Sequence, residues 1–360
     1  MEIGIVGLPN VGKSTLFNAL TSGRAAASNY PFTTIEPNVG IVNVPDSRLA
    51  RLTELFKPEK VTPAVIKFVD IAGLVQGASE GAGLGNKFLS HIREVDAIVQ
   101  VLRVFSDADV IHTLGGVDPK RDAEVIETEL ILADLQSVEK QLEKTGKDAK
   151  SGDKEAKARL EVLEKIKQVL NQGQSARLSD ISQEDLKSMA LLSSKPVLFL
   201  GNVDESQIAS NGESSILEKI AASRNAKWVI FSGKLEAELN QLSTEEERES
   251  FRAELGVTET GLEKLIRESY QLLDLITFLT AGPKEVRGWT LERGSTAVEA
   301  AGKIHSDIAR GFIKADIYKF SDLDRLGSEK AIQEAGMKRS EGRDYVMQDG
   351  DVCYFHFRVA

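Results

Sequence analysis

The chain has 360 residues, of which 41% are hydrophobic and 28% are charged. This composition excludes collagen-like, low-complexity and wholly disordered proteins. With 45 basic and 55 acidic residues, the formal net charge is −10, which excludes a uniformly basic nucleic-acid coat but not a local basic face. At about 100–200 residues per domain, the length predicts two or three domains.

Membrane and export signals are not expected. No apolar run approaches the roughly 18 residues that a membrane span requires. The chain leads from Glu2 directly into a glycine-rich motif, without the basic start of a signal peptide. The single cysteine, Cys353, cannot form an internal disulfide. We therefore expect a cytoplasmic protein in a reducing compartment, without membrane contact.

The N-terminal region alternates predicted strands and helices. Short runs rich in Val and Ile predict strands at 2–7, 38–44, 65–70 and 97–104. Helices are predicted between them at 12–20 and 86–94. This alternation predicts parallel βαβ units, and hence an α/β fold whose open sheet is covered on both faces.

A helical insert is predicted at residues 121–188. Apolar residues spaced three and four apart occur in two segments, at Leu135, Val138 and Leu142 and at Leu163, Ile166 and Leu170. This spacing is typical of helices packed as in a coiled coil. We expect Gly146 and Gly152 to break the helix, which gives an antiparallel hairpin. A solvated pair of charged helices and a dedicated binding arm both fit this pattern.

The α/β pattern resumes with strands at 196–201 and 227–232 and a helix at 261–273. Short strands at 276–279, 286–290, 313–318 and 352–359 then surround one helix at 296–308. They predict a small α+β domain with a mixed sheet. We therefore predict one domain at 1–275, interrupted by the insert, and a second at 276–360.

Residues Gly7 to Ser14 read GLPNVGKS and match the P-loop motif G-x-x-x-x-G-K-[ST]. Its glycines let consecutive backbone N–H groups face a phosphate chain, and the next helix points its positive end there. Lys13 is expected to reach the β- and γ-phosphates and to act in catalysis, and the Ser14 hydroxyl to bind Mg²⁺. The predicted phosphate-binding residues are Asn10, Val11, Gly12, Lys13, Ser14 and Thr15.

A second metal-binding motif is Asp70-Ile71-Ala72-Gly73, which ends a predicted strand. An acid at this place holds Mg²⁺, usually through water, and the N–H group of Gly73 approaches the γ-phosphate. Thr33 and Thr34 lie in a polar stretch where a switch loop offers a threonine to the metal, although a hydroxyl that only serves a turn fits as well. The predicted Mg²⁺ residues are Ser14, Thr34 and Asp70.

Base recognition is expected where a later strand ends. Small GTP-binding proteins use N-K-x-D there, with an aspartate that accepts hydrogen bonds from guanine. Here the residues read Asn-Val-Asp-Glu, so the lysine is absent and the aspartate stands one place early. This difference argues against guanine specificity. The predicted base-binding residues are Asn202, Val203 and Glu205, with Ser232 and Gly233 in a second loop.

Five sequence strings together resemble the YchF / Obg-like ATPase family of translation-factor-related P-loop GTPases. They are GLPNVGKSTLFNAL at 7–20, YPFTTIEPNVG at 30–40, DIAGLVQGASEGAGLGNKFL at 70–89, NVDE at 202–205 and ITFLTAGPKEVRGWTLERGSTAVEAAGKIH at 276–305. The resemblance implies a P-loop NTPase G domain, a helical coiled-coil insert and a C-terminal TGS domain of β-grasp fold.

The same resemblance implies that ATP binds at least as well as GTP, that hydrolysis is slow and that the protein associates with ribosomes. It places Val203 against the adenine ring, where the side chain adds only apolar contact. We expect a monomer that contacts the ribosome or RNA through the TGS domain and the helical insert.

Hydrolysis needs a group that orients the attacking water. Ras-type enzymes use a glutamine directly after D-x-x-G, where this chain has Leu74, so intrinsic turnover is expected to be slow. A potassium ion near the phosphates, with Asn10 as a ligand, is one candidate for this role. His112 is another, because histidine can orient water near neutral pH, although a polar loop residue without such a role is the alternative.

Three functions stay open. The first is an ATP-preferring, Mg²⁺-dependent NTPase that regulates translation or a stress response. The second is a nucleotide-dependent switch whose hydrolysis is negligible without a partner, and the third is an RNA or ribosome adaptor with a structural nucleotide. Intact Lys13, Ser14 and Asp70 favour the first function, whereas Leu74 keeps the second open.

Overall fold

The computed structural model describes residues 1–22, 38–72, 83–107, 110, 112–151, 153–208, 212–242 and 244–358. The chain divides into two compact units. Among the described residues, the first unit contains 1–22, 38–40 and those of 67–265, and the second contains 41–66 and 266–358. None of the described helices is long and apolar enough to cross a membrane.

The described strands follow in chain order. They are β1 (Glu2–Val6), β2 (Val39–Asn43), β3 (Lys60–Thr62), β4 (Val65–Asp70), β5 (Ala97–Arg103), β6 (Val197–Asn202), β7 (Lys227–Phe231), β8 (Leu275–Ala281), β9 (Glu285–Glu292), β10 (Phe312–Lys319), β11 (Arg339–Glu341) and β12 (Asp351–Phe357).

The described helices are numbered in the same way. They are α1 (Lys13–Ser22), α2 (Ser47–Phe56), α3 (Gly83–Glu94), α4 (Pro119–Lys150), α5 (Lys154–Asn171), α6 (Gln183–Ser188), α7 (Glu205–Ile208), α8 (Gly212–Ala222), α9 (Gly233–Gln241), α10 (Glu245–Glu254), α11 (Gly261–Leu272), α12 (Ala297–Ile304), α13 (Ser306–Arg310), α14 (Phe320–Leu326) and α15 (Glu329–Glu334).

The first sheet has the strand order β2-β4-β1-β5-β6-β7, and β4, β1, β5, β6 and β7 are parallel neighbours. Every residue of β5 and β6 is buried, as expected at the centre of a parallel sheet covered on both faces. The predicted α/β fold is therefore confirmed. Because parallel strands end at the same edge, this topology brings the segments after β1, β4, β6 and β7 together.

The helical insert forms a hairpin of α4 and α5. Asp118 caps α4, Asp153 caps α5, and the two helices share a buried apolar core. Its members include Ile131, Val138, Leu163, Ile166 and Leu170. The prediction that Gly146 breaks the first helix is wrong, because α4 continues to Lys150. One helical glycine costs only about 1 kcal/mol, and the buried Thr145 and Ala149 fix the turns around it.

The second sheet has the order β11-β10-β12-β8-β9-β3 and belongs to the second unit. Strand β10 is antiparallel to β11 and β12, and β8 to β9, whereas β12 with β8 and β3 with β9 are parallel. The predicted mixed sheet is confirmed. Helix α12 buries Ala297, Ala300 and Ala301 in a core with Phe278 and Ile317.

The helix predicted at 296–308 is two helices, α12 and α13. His305 lies between them with extended backbone, at φ −164° and ψ 142°. Its Nδ1 atom accepts a hydrogen bond from the Asp307 N–H at 3.1 Å and caps α13. The His305 side chain therefore ends α12 by competing with helical hydrogen bonds. The spacing of apolar residues gave no sign of this helix end.

The second unit also contains residues 41–66, which the sequence pattern assigned to the first domain. Strand β3 pairs with β9, from Lys60 opposite Glu285 to Thr62 opposite Arg287. Helix α2 contributes Leu49 and Leu52 to a buried cluster with Leu279, Val286 and Val352. The domain boundary near residue 276 and the limits of the insert stay proposals.

Candidate active site

The P-loop connects β1 to α1 and surrounds the Lys13 side chain. The Lys13 ammonium donates hydrogen bonds to the carbonyl oxygens of Gly7 and Leu8, both at 2.8 Å. Asn10 and Gly12 have left-handed backbone, with φ of 63° and 100°. A Cβ atom on Gly12 would lie 2.2 Å from the Asn202 amide nitrogen, so only glycine fits there. The loop is closely packed against the end of β6.

Lys13 is also electrostatically coupled to the end of β4. Burial lowers the pKa of Lys13 to about 8, and the Asp70 carboxylate opposes this shift. A bound polyphosphate would favour the charged ammonium by the same attraction. The Lys13 ammonium is therefore held by the Gly7 and Leu8 carbonyls, which a bound phosphate group can replace.

Asp70 and Ser14 fit a divalent cation. The Asp70 Oδ1 atom is buried and has no hydrogen-bond partner among the described residues. Burial raises the pKa of Asp70, and the Lys13 ammonium lowers it. Ser14 is exposed at the first turn of α1. A buried carboxylate oxygen without a donor and an exposed hydroxyl are both oxygen ligands of the kind that Mg²⁺ accepts.

Asn202 ties the phosphate loop to the second predicted base loop. Its side-chain amide donates to the Val11 carbonyl at 3.0 Å and accepts from the Gly233 N–H at 3.3 Å. The residue is only 6% exposed. Sequence reasoning predicted Asn202 as a nucleotide contact, and in the structure its amide is committed to positioning two loops.

The other base-loop residues have separate contacts. The Val203 N–H donates to the Phe231 carbonyl at 2.8 Å, and the Val203 side chain is buried. The Ser232 hydroxyl accepts from the Leu235 N–H at 3.4 Å and caps α9. The Glu205 carboxylate accepts from the Lys234 ammonium at 3.2 Å. These bonds fix the backbone around the base loops. They engage one oxygen of Glu205, which occupies the aspartate position of N-K-x-D, while its Oε1 atom is buried and has no hydrogen-bond partner among the described residues.

Of the described residues predicted to bind phosphate or base, all except the buried Val11 line one cavity of about 750 Å³, within the range of small-molecule sites. Its lining is Asn10, Gly12, Lys13, Ser14, Thr15, Phe105, Asp107, Val110, Asn202, Val203, Asp204, Glu205, Ser206, Ser232, Gly233 and Lys234. Phe105, Asp107 and Val110 were missed by sequence reasoning. Their only signal was their position directly after a strand of the parallel sheet.

Three predicted site residues lie outside the described residues. They are Thr34, the proposed metal ligand, Gly73, the proposed γ-phosphate contact, and Leu74, which stands at the glutamine position. Thr33 lies outside as well.

His112 is held by the start of α4. Its Nε2 atom lies 2.8 Å from Asp122 Oδ2, and its Nδ1 atom accepts from the Leu114 N–H at 3.2 Å. The His112 side chain is 4% exposed and that of Asp122 is 1% exposed. With Nδ1 accepting, Nε2 carries the proton and donates it to Asp122, so both nitrogens are engaged. The structure therefore gives the predicted water-orienting role of His112 no support.

The parallel sheet, the loop around Lys13 and the acid at the end of β4 define a P-loop nucleoside triphosphate-binding protein. A family model described as a 50S ribosome-binding GTPase matches residues 2–135. The YchF-GTPase_C family model, described as a protein of unknown function, matches residues 275–358.

Full-length relatives agree with these matches. The "Ribosome-binding ATPase YchF" of Bacillus subtilis is 50% identical, and each chain is covered in full. That of Escherichia coli O157:H7 is 48% identical with 99% of each chain covered. The solved Schizosaccharomyces pombe YchF GTPase superposes with a TM-score of 0.88 at 38% identity, covering 99% of this chain and 97% of that one. This chain belongs to the YchF family.

Proposed function

We propose that this chain is a ribosome-associated ATPase that binds and slowly hydrolyses ATP with Mg²⁺. The observation that carries the proposal is the single cavity that joins Lys13 and Ser14 of the P-loop to the base loops after β6 and β7. The names of the bacterial relatives, which are ribosome-binding ATPases, support the same activity and partner. The ribosome as a partner supports a cytoplasmic location.

Phosphate binding follows from the residues of the P-loop. The Lys13 ammonium exchanges the Gly7 and Leu8 carbonyls for the β- and γ-phosphates, and the backbone N–H groups of 10–15 bind the same chain. We propose Ser14, Asp70 and Thr34 as the Mg²⁺ residues and the Gly73 N–H as a γ-phosphate donor. The metal, when bound, neutralises charge on the phosphate oxygens.

We propose that the base loops prefer adenine to guanine. The residue at the lysine position of N-K-x-D is Val203, whose buried side chain offers only apolar contact. The Glu205 carboxylate is paired with Lys234. The loop lacks the N-K-x-D lysine, and Glu205 engages Lys234 through Oε2 while its Oε1 has no hydrogen-bond partner among the described residues. Such a loop does not reject adenine, because the carbonyl of Val203 can accept from the adenine amino group.

Hydrolysis also needs a group that orients the attacking water. His112 can serve only if its bond to Asp122 breaks. We therefore propose a potassium ion near Asn10 in this role. Because Leu74 cannot replace a glutamine, a nucleotide-dependent ribosome or RNA adaptor with negligible intrinsic hydrolysis is the second candidate function.

We further propose that the second unit is a TGS domain and that the α4–α5 hairpin is a binding arm, so that a monomer contacts ribosomal RNA through both. The mixed sheet with α12 packed on it supports a β-grasp fold. A role in regulating translation or a stress response follows from the proposed partner.

Phosphate release from ATP, measured with and without ribosomes, tests this proposal. We expect slow release by the protein alone, faster release with ribosomes and none from Lys13→Ala, because the variant lacks the charge that binds the β- and γ-phosphates. Lys67→Ala is the matched control, since Lys67 pairs with Glu2 at the surface, away from the cavity lining. Unchanged turnover in Lys13→Ala would overturn the proposed site.

A further inference from the structure

Arg103 is a buried cation at the end of β5, and it is only 2% exposed. Its guanidinium donates to three backbone carbonyls of the segment that follows. The Nε atom lies 3.2 Å from the Phe105 oxygen, Nη1 lies 2.9 Å from the Val110 oxygen and Nη2 lies 3.0 Å from the Asp107 oxygen. One side chain therefore fixes the backbone at Phe105, Asp107 and Val110.

The same segment is attached to the base loop on its other side. The Val104 and Phe105 N–H groups both donate to the Asn202 carbonyl, at 2.9 and 3.0 Å. The Ser106 N–H lies 3.4 Å from Asp204 Oδ2. The segment thus lies between Arg103 and the residues that follow β6.

Phe105, Asp107 and Val110 line the nucleotide cavity, whereas Arg103 does not. The guanidinium carbon lies 4.4 Å from the centre of the Phe105 ring, which is the distance of a cation–π contact. Arg103 therefore contacts both the backbone carbonyls of these three residues and the Phe105 ring, without lining the cavity itself.

We propose that Arg103 is a positioning residue, which holds Phe105, Asp107 and Val110 as a wall of the nucleotide cavity and thereby sets the affinity for the base-containing part of ATP. This inference rests on the proposed function, because it assumes that the cavity binds ATP. A planar guanidinium with five donors can serve three divergent carbonyls at once, whereas a lysine ammonium has three donors at one point.

Steady-state kinetics of Arg103→Met and Arg103→Lys test the proposal. Loss of the three bonds frees the wall but leaves the P-loop and Asp70 in place. We expect Arg103→Met to raise the KM for ATP about tenfold, with kcat at saturating ATP nearly unchanged, because binding and not phosphoryl transfer is weakened. Arg103→Lys keeps the charge and part of the bonding, so its KM is expected to lie between those of Arg103→Met and the unaltered protein.

A purely structural role predicts a different pattern. The control is Arg224→Met, because Arg224 is also buried in the first unit but bonds to Glu127 and not to the cavity wall. We expect it to lower the melting temperature without changing the KM. Inhibition of hydrolysis by magnesium tripolyphosphate, which has no base, is expected to stay unchanged in both Arg103 variants.

Two outcomes overturn the inference while the proposed function stands. The first is an unchanged KM for ATP in folded Arg103 variants. The second is an equal loss of affinity for ATP and tripolyphosphate, which would show that Arg103 acts on the whole site. If Arg103→Met does not fold, the KM of Arg103→Lys decides alone. Absence of ATP binding by the unaltered protein would instead refute the proposed function.

Discussion

At the scale of single residues, Glu236 is a buried acid with an unusual ionisation. It lies on α9, is 5% exposed, and accepts a hydrogen bond from the Leu262 N–H at 3.1 Å. Burial raises the pKa of Glu236 to about 7, while that hydrogen bond lowers it and the Glu263 carboxylate adds to the rise. Between about pH 4.5 and pH 7, Glu236 therefore keeps a proton in the folded protein that it has already released in the unfolded chain.

We expect the free energy of unfolding to fall as pH rises from about 4.5 to about 7, because the folded-state pKa of Glu236 lies above the unfolded value. Glu236→Gln removes this loss and should stabilise the protein by about 2 kcal/mol at pH 8, and by less at pH 5.5. Urea unfolding at both pH values measures the difference. The control Glu238→Gln removes a 3.9 Å ion pair with Lys234 on the same helix and should change the stability by no more than about 0.5 kcal/mol. A destabilised Glu236→Gln at pH 8 would contradict the assignment.

Site residues differ in how far the sequence could predict them. Gly12, Lys13 and Ser14 are adjacent in a motif whose spacing reflects phosphate geometry, so the local sequence sufficed. Arg103 and Phe105 become important only because the sheet places β5 beside β6, and no local pattern marks them. The positioning role of Asn202 depends on two loops that are distant in sequence.

At the scale of elements, the base of the hairpin is joined to the rest of the first unit by Glu127 of α4. Its carboxylate accepts from the Arg177 guanidinium at 2.8 Å, from the Arg224 guanidinium at 2.9 Å and from the Ser175 hydroxyl at 2.5 Å. Burial alone would raise the pKa of Glu127, but these three partners hold it below its usual range. One carboxylate therefore satisfies two largely buried cations.

We expect Glu127→Ala to destabilise the protein by about 3 kcal/mol, because it removes the anion that two buried guanidiniums share and leaves Arg224 only its longer pair with Glu124, at 3.8 Å. The control Glu139→Ala removes the exposed pair of Glu139 with Lys167 on the same hairpin and should cost about 0.5 kcal/mol. Thermal or urea unfolding compares the two variants. A loss for Glu127→Ala no larger than that of the control would contradict the network's role.

Elements with strong patterns were predictable and their exact ends were not. The strand predicted at 65–70 is confirmed residue for residue as β4, since its alternation is set by local sequence. The sequence pattern predicted a helix break at Gly146, but packing keeps α4 continuous there. It also predicted one helix through His305, but the His305 side chain caps α13 and separates it from α12. Strand β3 has three residues and exists through its pairing with β9, which lies more than 200 residues away in the chain.

At the scale of the whole molecule, the second unit is assembled from separate parts of the chain. Leu49 and Leu52 of α2 are buried against Leu279, Val286 and Val352. A truncation that removes 282–360 would therefore leave α2 and β3 without their core. Such a truncation cannot separate ribosome binding from folding, so point substitutions are the better test.

The basic residues of the second unit are partly neutralised. Four of the cations between 284 and 319 form ion pairs: Arg293 with Asp274, Arg310 with Asp307, Lys314 with Asp316 and Lys319 with Asp351. Lys284 and Lys303 are exposed. These two lysines are the stronger candidates for contact with RNA phosphate.

We expect the double variant Lys284→Glu with Lys303→Glu to weaken co-sedimentation with ribosomes. The slope of log affinity against log salt concentration should become less negative by about two, because each lost phosphate contact changes that slope by about one. Lys330→Glu, at an exposed residue of α15, controls for one of the two charge reversals. An unchanged salt dependence in the double variant would remove this face from the proposed ribosome interface.

Calorimetric titration of the nucleotide-stripped protein with ATP and with GTP measures the proposed preference for ATP. Val203 in place of the N-K-x-D lysine predicts that magnesium-ATP binds at least as tightly as magnesium-GTP. Tighter binding of GTP by about tenfold or more, as a site built around a guanine hydrogen bond would give, would contradict the account.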